Sequence, residues 1–407
     1  MIYDSVSQCR ACDTPLSSPL LDLGMIPVGD ALSSTPDNSE NRAPLVLHHC
    51  PMCSLLQLQH HLKPSRIFNQ TYPYFSSSID SLVTRMDDLA AQLIAEYQPD
   101  PDRPIVEIAS NDGYFLSHLA RRGYRTLGIE PCVTQADIAS AKGVPTIKSF
   151  FNRALVQQIM AEHGKIQLIV ANNVVAHVPD IHDFLAGIAM LLEPNGTAVV
   201  EFHHALPMIG ERQFDTLYHQ HIFYYSLTTF SQILVSHALH VNRVERIAAY
   251  GGSLRVHFSH CVQADPSVQA LIDTELATLT KATISQFAAS FYTEPQALNQ
   301  LVSEIHLQGK RVAGYGAAAK ASTLLAITEL DLPKLAYIVD QNPAKHGLFM
   351  PATGLRIEPV ERLKRQPVDY LIIFAWNYAD EIMSDLAWFR AQGGRFVLPH
   401  PTLRIID

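Results

Sequence analysis

The sequence predicts an α/β protein in which two Rossmann-like domains follow a small cysteine-rich N-terminal domain. Three observations carry this. From Pro104 onward short apolar strands alternate with helical runs, the pattern of a parallel sheet covered on both faces. A second strand, glycine-rich turn and helix is written in Lys310-Arg-Val-Ala-Gly314-Tyr-Gly316-Ala-Ala-Ala-Lys320. Ahead of both, Cys9-Arg-Ala-Cys12 and Cys50-Pro-Met-Cys53 stand about forty residues apart.

Length and charge bound the possibilities. A chain of 407 residues exceeds one core, so two or three domains are expected, and 47% hydrophobic residues can fill them. The net charge of −9, with no compensating basic tract, argues against a nucleic-acid partner. The start, Met1-Ile-Tyr-Asp-Ser5, has neither a basic nor an apolar signal region, and no run of eighteen apolar residues occurs. A cytoplasmic protein without membrane attachment is the expectation.

Reducing conditions disfavour structural disulfides, so the two Cys-x-x-Cys knuckles are read as a tetrahedral zinc site of Cys9, Cys12, Cys50 and Cys53. A redox pair is the rival, but a thioredoxin-type motif occurs once and begins a helix. Pro15, Pro19, Gly24, Pro27, Gly29 and Pro36 leave the intervening segment too broken for a core of its own, and a metal would supply what burial cannot. The zinc is read as structural, with part of the module a possible wall of the active site. Cys132 and Cys261 read as small, inert buried residues.

Residues 70–78, Gln70-Thr-Tyr72-Pro-Tyr74-Phe-Ser-Ser-Ser78, are aromatic and hydroxyl-rich, fitting a substrate-facing loop or a packed linker equally. Ser78 to Tyr97 then has helical periodicity. It leads to Glu107-Ile-Ala109-Ser110-Asn111-Asp-Gly113, a strand running into a tight turn and a helix, where backbone amides can hold a ligand. The next strand, Tyr124 to Ile129, ends in Glu130, placed to accept hydrogen bonds from ribose hydroxyls. Ala109 and Asn111 occupy two of the three glycine positions of a dinucleotide fingerprint, leaving Gly113. A ligand without phosphates tolerates this better, and Glu107 inside the strand suggests a cationic group. S-adenosylmethionine fits all three features; a nicotinamide dinucleotide or an empty site are the alternatives.

Strands are expected near 104–109, 124–129, 144–147, 166–172 and 196–202, with ligands at their carboxyl ends. Phe151 follows the third, to flank an adenine or to pack in the core. Asn172, Asn173 and His177 follow the fourth. Glu201-Phe-His203-His204 closes the fifth. Then comes the densest polar cluster, Phe214-Asp-Thr-Leu-Tyr218-His219-Gln220-His221-Ile-Phe-Tyr-Tyr225. Two histidines and a tyrosine within four residues suit proton transfer in a shielded pocket. Metal binding lacks a partner at i+3 or i+4, and a polar turn before a helix at 226–238 is the plain alternative.

Further strands are expected at 240–248 and 252–261, the latter carrying Arg255, before a helical tract over 266–308. Strands near 335–339, 368–374 and 395–398, with Asp340 at a strand end, complete the last Rossmann-like layout. A nicotinamide site there is conceivable, but the third glycine is missing. A helix N-terminus that meets a substrate's phosphates with Lys320, beside Tyr315, is preferred.

In this ordered set the chain resembles the S-adenosylmethionine-dependent sugar C-methyltransferases of deoxysugar biosynthesis. The matching stretches are both knuckles, Glu107 to Gly113, Gly128-Ile-Glu-Pro131, His177-Val-Pro-Asp180 and Phe214 to His221. They continue with Gly251-Gly-Ser-Leu-Arg255, Gly314 to Lys320 and Trp376-Asn-Tyr-Ala-Asp-Glu381. The resemblance implies a zinc-binding domain (1–70), a methyltransferase domain (71–262) and a C-terminal Rossmann-like substrate-binding domain (263–407). A nucleotide-linked 4-keto sugar would lie between the last two, in a monomer or homodimer. It implies His221 as the base that removes a proton beside the ketone, with Tyr72, His177 and Tyr218 lining the site. His219, Arg255, Tyr315 and Lys320 are the candidate substrate-binding residues. The family pattern is Tyr-His-Glu-His, and here Gln220 replaces the glutamate; Ala109 replaces a glycine and Ala326 an asparagine. Methylation of oxygen, nitrogen or another enolisable compound is the nearest alternative. A nicotinamide-dependent sugar oxidoreductase and a non-catalytic zinc-bearing protein are the more distant ones.

Overall fold

Strands near the N-terminus are short and antiparallel. The computed structural model describes residues 2–36, 41–70, 72–328, 330 and 334–407. In it β1 (Tyr3–Ser5) pairs with β5 (His60–Leu62), while β2 (Leu21–Pro27), β3 (Arg42–His49) and β4 (Leu56–Leu58) form a meander. The described residues of the broken segment between the knuckles thus include two strands of a sheet. Its apolar face, including Leu21, Leu45, Leu47 and Leu58, is covered by Phe214, Leu217 and residues of the C-terminal part. The core that the module lacks is lent by the rest of the chain.

After α1 (Pro64–Ile67) and α2 (Asp80–Tyr97) the central unit runs β6 (Ile105–Ile108), α3 (Leu116–Arg121), β7 (Thr126–Ile129), α4 (Val133–Ala141), β8 (Thr146–Ile147) and α5 (Arg153–His163). It continues through β9 (Ile166–Asn172), α6 (Ile181–Leu191), β10 (Leu192–His203), α7 (Ala205–Gly210), β11 (Phe223–Tyr224), α8 (Leu227–Val235), β12 (His240–Ile247) and β13 (Ser253–Ser259). Asn152, Asp180 and Ser226 start α5, α6 and α8 by accepting a backbone N–H three residues on. The sheet order is β12-β13-β10-β9-β6-β7-β8, parallel from β10 to β8 and antiparallel at β13 and β12. Its order reverses between β6 and β9, which opens a crevice at their carboxyl ends. β11 leaves this unit and pairs with β4, extending the N-terminal sheet.

The helical tract breaks in two, α9 (Pro266–Thr278) and α10 (Lys281–Leu307), because the Thr280 side chain caps α10 at Thr283 N. Val268 and Leu271 of α9 pack in the central core, whereas Ile284, Phe287 and Val302 of α10 pack in the C-terminal one. α9 thus packs with the central unit and α10 with the C-terminal one. The last unit contains β14 (Val312–Tyr315), α11 (Ala319–Ile327), β15 (Leu335–Asp340), β16 (Ile357–Pro359), α12 (Arg362–Arg365) and β17 (Tyr370–Ile373). It ends with α13 (Ala379–Asp385), α14 (Ala387–Ala391), β18 (Arg395–Leu398) and β19 (Arg404–Ile406). Its order, β16-β15-β14-β17-β18-β19, is that of a Rossmann sheet with an antiparallel last strand. Among the described residues no helix is long and apolar enough to cross a membrane.

Candidate active site

The carboxyl ends of both parallel sheets open onto one cavity of about 1090 Å³. Ile108, Glu130 and Asn172 line it from the central sheet, Tyr315, Asp340 and Ala375 from the C-terminal sheet, and Asp30 and Phe68 from the N-terminal module. The three parts therefore share a single chamber, and the zinc-bearing module supplies one wall.

On the central side the β6–α3 turn is held from two directions. Glu130 accepts from Asn111 N at 2.9 Å and from Cys132 N at 2.8 Å, while Asn111 Oδ1 accepts from Ser76 N at 2.9 Å. Ala109, Asn111 and Gly113 all take positive φ. A Cβ on Gly113 would stand 3.1 Å from Ala139 Cβ, so Gly113 serves the close packing of α4 and does not line the cavity. Ser110 is likewise fully buried behind the turn, against Gly128. Glu107 lies beneath the cavity floor and accepts from Asn172 Nδ2 at 3.2 Å; burial drives its carboxyl well above the usual range. Among the described residues Glu107 Oε2 and Asn172 Oδ1 are buried without a hydrogen-bond partner. Such orphaned acceptors beside a strand-end crevice fit a ligand with N–H or cationic groups. Asn173 lines the crevice with φ 52°, and Phe151 does so while packing edge-on against Phe184.

Across the chamber stands the polar cluster. Tyr218 Oη and His221 Nε2 share a hydrogen at 2.7 Å, and the rings of His177 and His221 lie 4.9 Å apart. His177 Nδ1 is fixed by the Gln220 carbonyl at 2.7 Å. Burial lowers His177 to about 4 and takes His221 well below its ordinary value, aided by the charges of His177, His203 and Lys320. Both imidazoles are thus neutral free bases at pH 7. Gln220 does not face His221 as a partner; its Nε2 donates to the Gly29 carbonyl at 2.6 Å. Tyr72 lines the same wall, edge-on to Phe68 at 5.2 Å.

The C-terminal wall carries Tyr315 and Lys320. Lys320 Nζ meets Asn377 Oδ1 and stands 4.3 Å from the Trp376 ring centre; burial lowers its ammonium to about 8. Trp376 Nε1 in turn donates to Asp215 Oδ2 at 2.6 Å.

Two of the substrate-binding candidates are not brought to the cavity. Arg255 sits on β13 between Glu201 (2.9 Å) and Glu245 (3.3 Å), a buried ion-pair group that ties three strands and α2, through Arg85, together. His219 turns away from its neighbours and Nε2 pairs with the Ala43 carbonyl at 3.0 Å. Both read as substrate ligands only because their partners lie far off in sequence. Conversely, Asp30, His203, Tyr250 and Tyr378 line the cavity without having been singled out as site residues. Only His203, at a strand's carboxyl end, carried a readable signal.

The four cysteines converge. Cys9 Sγ lies 3.6 Å from Cys53 Sγ, Cys12 Sγ 3.5 Å from Cys50 Sγ, and all four sulfurs fall within 4.8 Å of one another. These separations are too long for disulfides and close to the roughly 3.8 Å edge of a tetrahedron with ~2.3 Å zinc–sulfur bonds. Zinc fits.

Comparison with known proteins gives three family matches in chain order: "Putative zinc binding domain" over 9–68, "Methyltransferase domain" over 82–239 and "C-methyltransferase C-terminal domain" over 248–401. The chain is 31% identical over 414 residues to the C-methyltransferase NovU of Streptomyces niveus, covering 100% of this chain and 98% of that protein. A ubiquinone biosynthesis O-methyltransferase of Bartonella tribocorum is 26% identical over 125 residues, 29% of this chain and 51% of the relative. Among solved structures, magnesium protoporphyrin IX methyltransferase from Synechocystis PCC 6803, with bound SAM, covers 44% of this chain and 79% of its own at 14% identity and a TM-score of 0.34.

Proposed function

The chain belongs to the S-adenosylmethionine-dependent C-methyltransferase family, and from that premise we propose that it methylates a carbon beside the ketone of a nucleotide-linked keto sugar. One observation carries the reading: the Tyr218–His221 pair and the Ala109–Asn111 turn line the same chamber. When bound, S-adenosylmethionine supplies an electrophilic methyl group on a sulfonium. Ala109, Asn111, Glu130, Phe151, Asn172 and Asn173 would hold it, with Glu107 setting the Asn172 amide from below.

A ring carbon becomes nucleophilic only once its proton is gone and the neighbouring carbonyl has taken the charge. His221 Nε2, neutral and shared with a phenol, would accept that proton directly or through the Tyr218 hydroxyl. A strongly lowered imidazole is a weak base, so the transfer needs the enolate oxygen to be met as charge develops; Tyr218 and Tyr72 are the donors at hand, while His177, whose proton goes to the Gln220 carbonyl, shapes the wall. Tyr315 and Lys320, at the start of α11, would face the substrate's diphosphate from the C-terminal wall.

The test is His221→Ala. Turnover and wash-out of deuterium from the α-carbon should both vanish, while calorimetric titration with S-adenosylmethionine should match the unaltered protein. Retained wash-out would remove His221 from the role of base.

A further inference from the structure

A turn of the N-terminal module is wedged between the catalytic loop and α11. Gln220 Nε2 holds the Gly29 carbonyl at 2.6 Å from one side. From the other, a Cβ on Gly29 would lie 2.9 Å from Ala319 Cα, Cβ and O, an approach only glycine permits. Asp30 follows with φ 59°, a conformation that strains a residue with a side chain, and it lines the cavity. Among the described residues no hydrogen bond or ion pair reaches its carboxylate. Lys345, the cation whose charge acts on Asp30, is engaged elsewhere: its Nζ donates to the Ala317 carbonyl at 2.8 Å and lies 3.9 Å from Asp340. Asp30 also acts electrostatically on Tyr72 and Tyr218, which places it between the proton-transfer cluster and the nucleotide wall.

A carboxylate kept for architecture would be met by protein donors, as Glu130 is. Asp30 is instead an acceptor turned toward the chamber, at the place between base and diphosphate wall where a sugar ring has to lie. We propose that Asp30 is a specificity-determining residue whose carboxylate accepts a hydrogen bond from a hydroxyl or amino substituent on the ring of the substrate. This rests on the keto-sugar reading above. It assigns to the N-terminal module the choice of which sugar is accepted, a choice that the α/β units do not make alone.

The test uses two sets of three thymidine diphosphate-linked 4-keto-6-deoxyhexoses, the members of a set differing only in a hydroxyl, an amine or hydrogen at one ring carbon, which is carbon 2 in one set and carbon 3 in the other. Methyl transfer and α-carbon deuterium wash-out are measured with the full-length zinc-loaded protein and with Asp30→Asn and Asp30→Gly; glycine also relieves the backbone strain. At one ring position the unaltered enzyme should favour a donor-bearing probe over the hydrogen one by about 10–100-fold in kcat/KM. In Asp30→Gly that preference should collapse, with the loss in KM, and S-adenosylmethionine affinity should stay unchanged. Whether the hydroxyl or the amine probe is favoured identifies the substituent. A preference that survives in Asp30→Gly, an equal loss on all three probes, or no preference at either position in the unaltered enzyme overturns the assignment. Absence of wash-out by the unaltered enzyme on every probe overturns the keto-sugar reading, and this assignment with it.

Discussion

Gln220 holds its place by donating a hydrogen bond, which a carboxylate in the same position would be unable to do. Glu at this site would turn an acceptor toward the Gly29 carbonyl. Gln220→Glu is therefore expected to destabilise the fold by about 1–3 kcal/mol, read from urea unfolding. Glu130 presents the opposite case, an acceptor for the backbone N–H groups of Asn111 in the β6–α3 turn and of Cys132 before α4. Glu130→Ala should weaken S-adenosylmethionine binding by about 10–100-fold in calorimetry, by freeing the Asn111 turn and removing the ribose acceptor. Residue types told much here: an acid at a strand end and a histidine–tyrosine run were readable as chemistry. Direction was not. Nothing in Tyr-His-Gln-His says that His219 faces Ala43 while His221 faces the chamber, or that Arg255 is already spent on two glutamates.

At the scale of elements, the decisive piece is β11, two residues long. It begins two residues after His221 and pairs with β4, which itself begins three residues after Cys53. The Tyr218–His221 loop is thereby stitched to the thiolate cluster through one ladder. Stripping zinc with a chelator should accordingly depress turnover more than S-adenosylmethionine affinity, and re-addition of zinc should restore it; equal losses of both would argue against the link. The longer strands were legible from apolar runs, since β6, β7, β9 and β14 are buried on both faces. A two-residue strand has no periodicity to read, and the N-terminal sheet stayed hidden because its apolar cover comes from residues hundreds of positions away.

Across the whole molecule, neutral buried histidines set the response to acid. Burial holds His177, His203 and His219 near 4, against about 6.5 in an unfolded chain. Between these values the unfolded chain binds the more protons, so stability falls as pH drops below 6.5 and is unaffected above it. Each of the three contributes about 1.4 kcal/mol per pH unit within that window. Urea midpoints at pH 7.5, 6 and 5 should fall progressively, though by less than the three histidines alone would give, because the raised Glu107 carboxyl takes up a proton in the folded state over the same window. The three-part organisation was legible because cysteine spacing and two strand–turn–helix signatures are local features. The meeting of the parts at one chamber was not, because it depends on how the sheets face each other. That chamber exceeds the usual room for a single small ligand. Two guests must occupy it together before anything is exchanged between them, so double-reciprocal plots for the pair should intersect instead of running parallel.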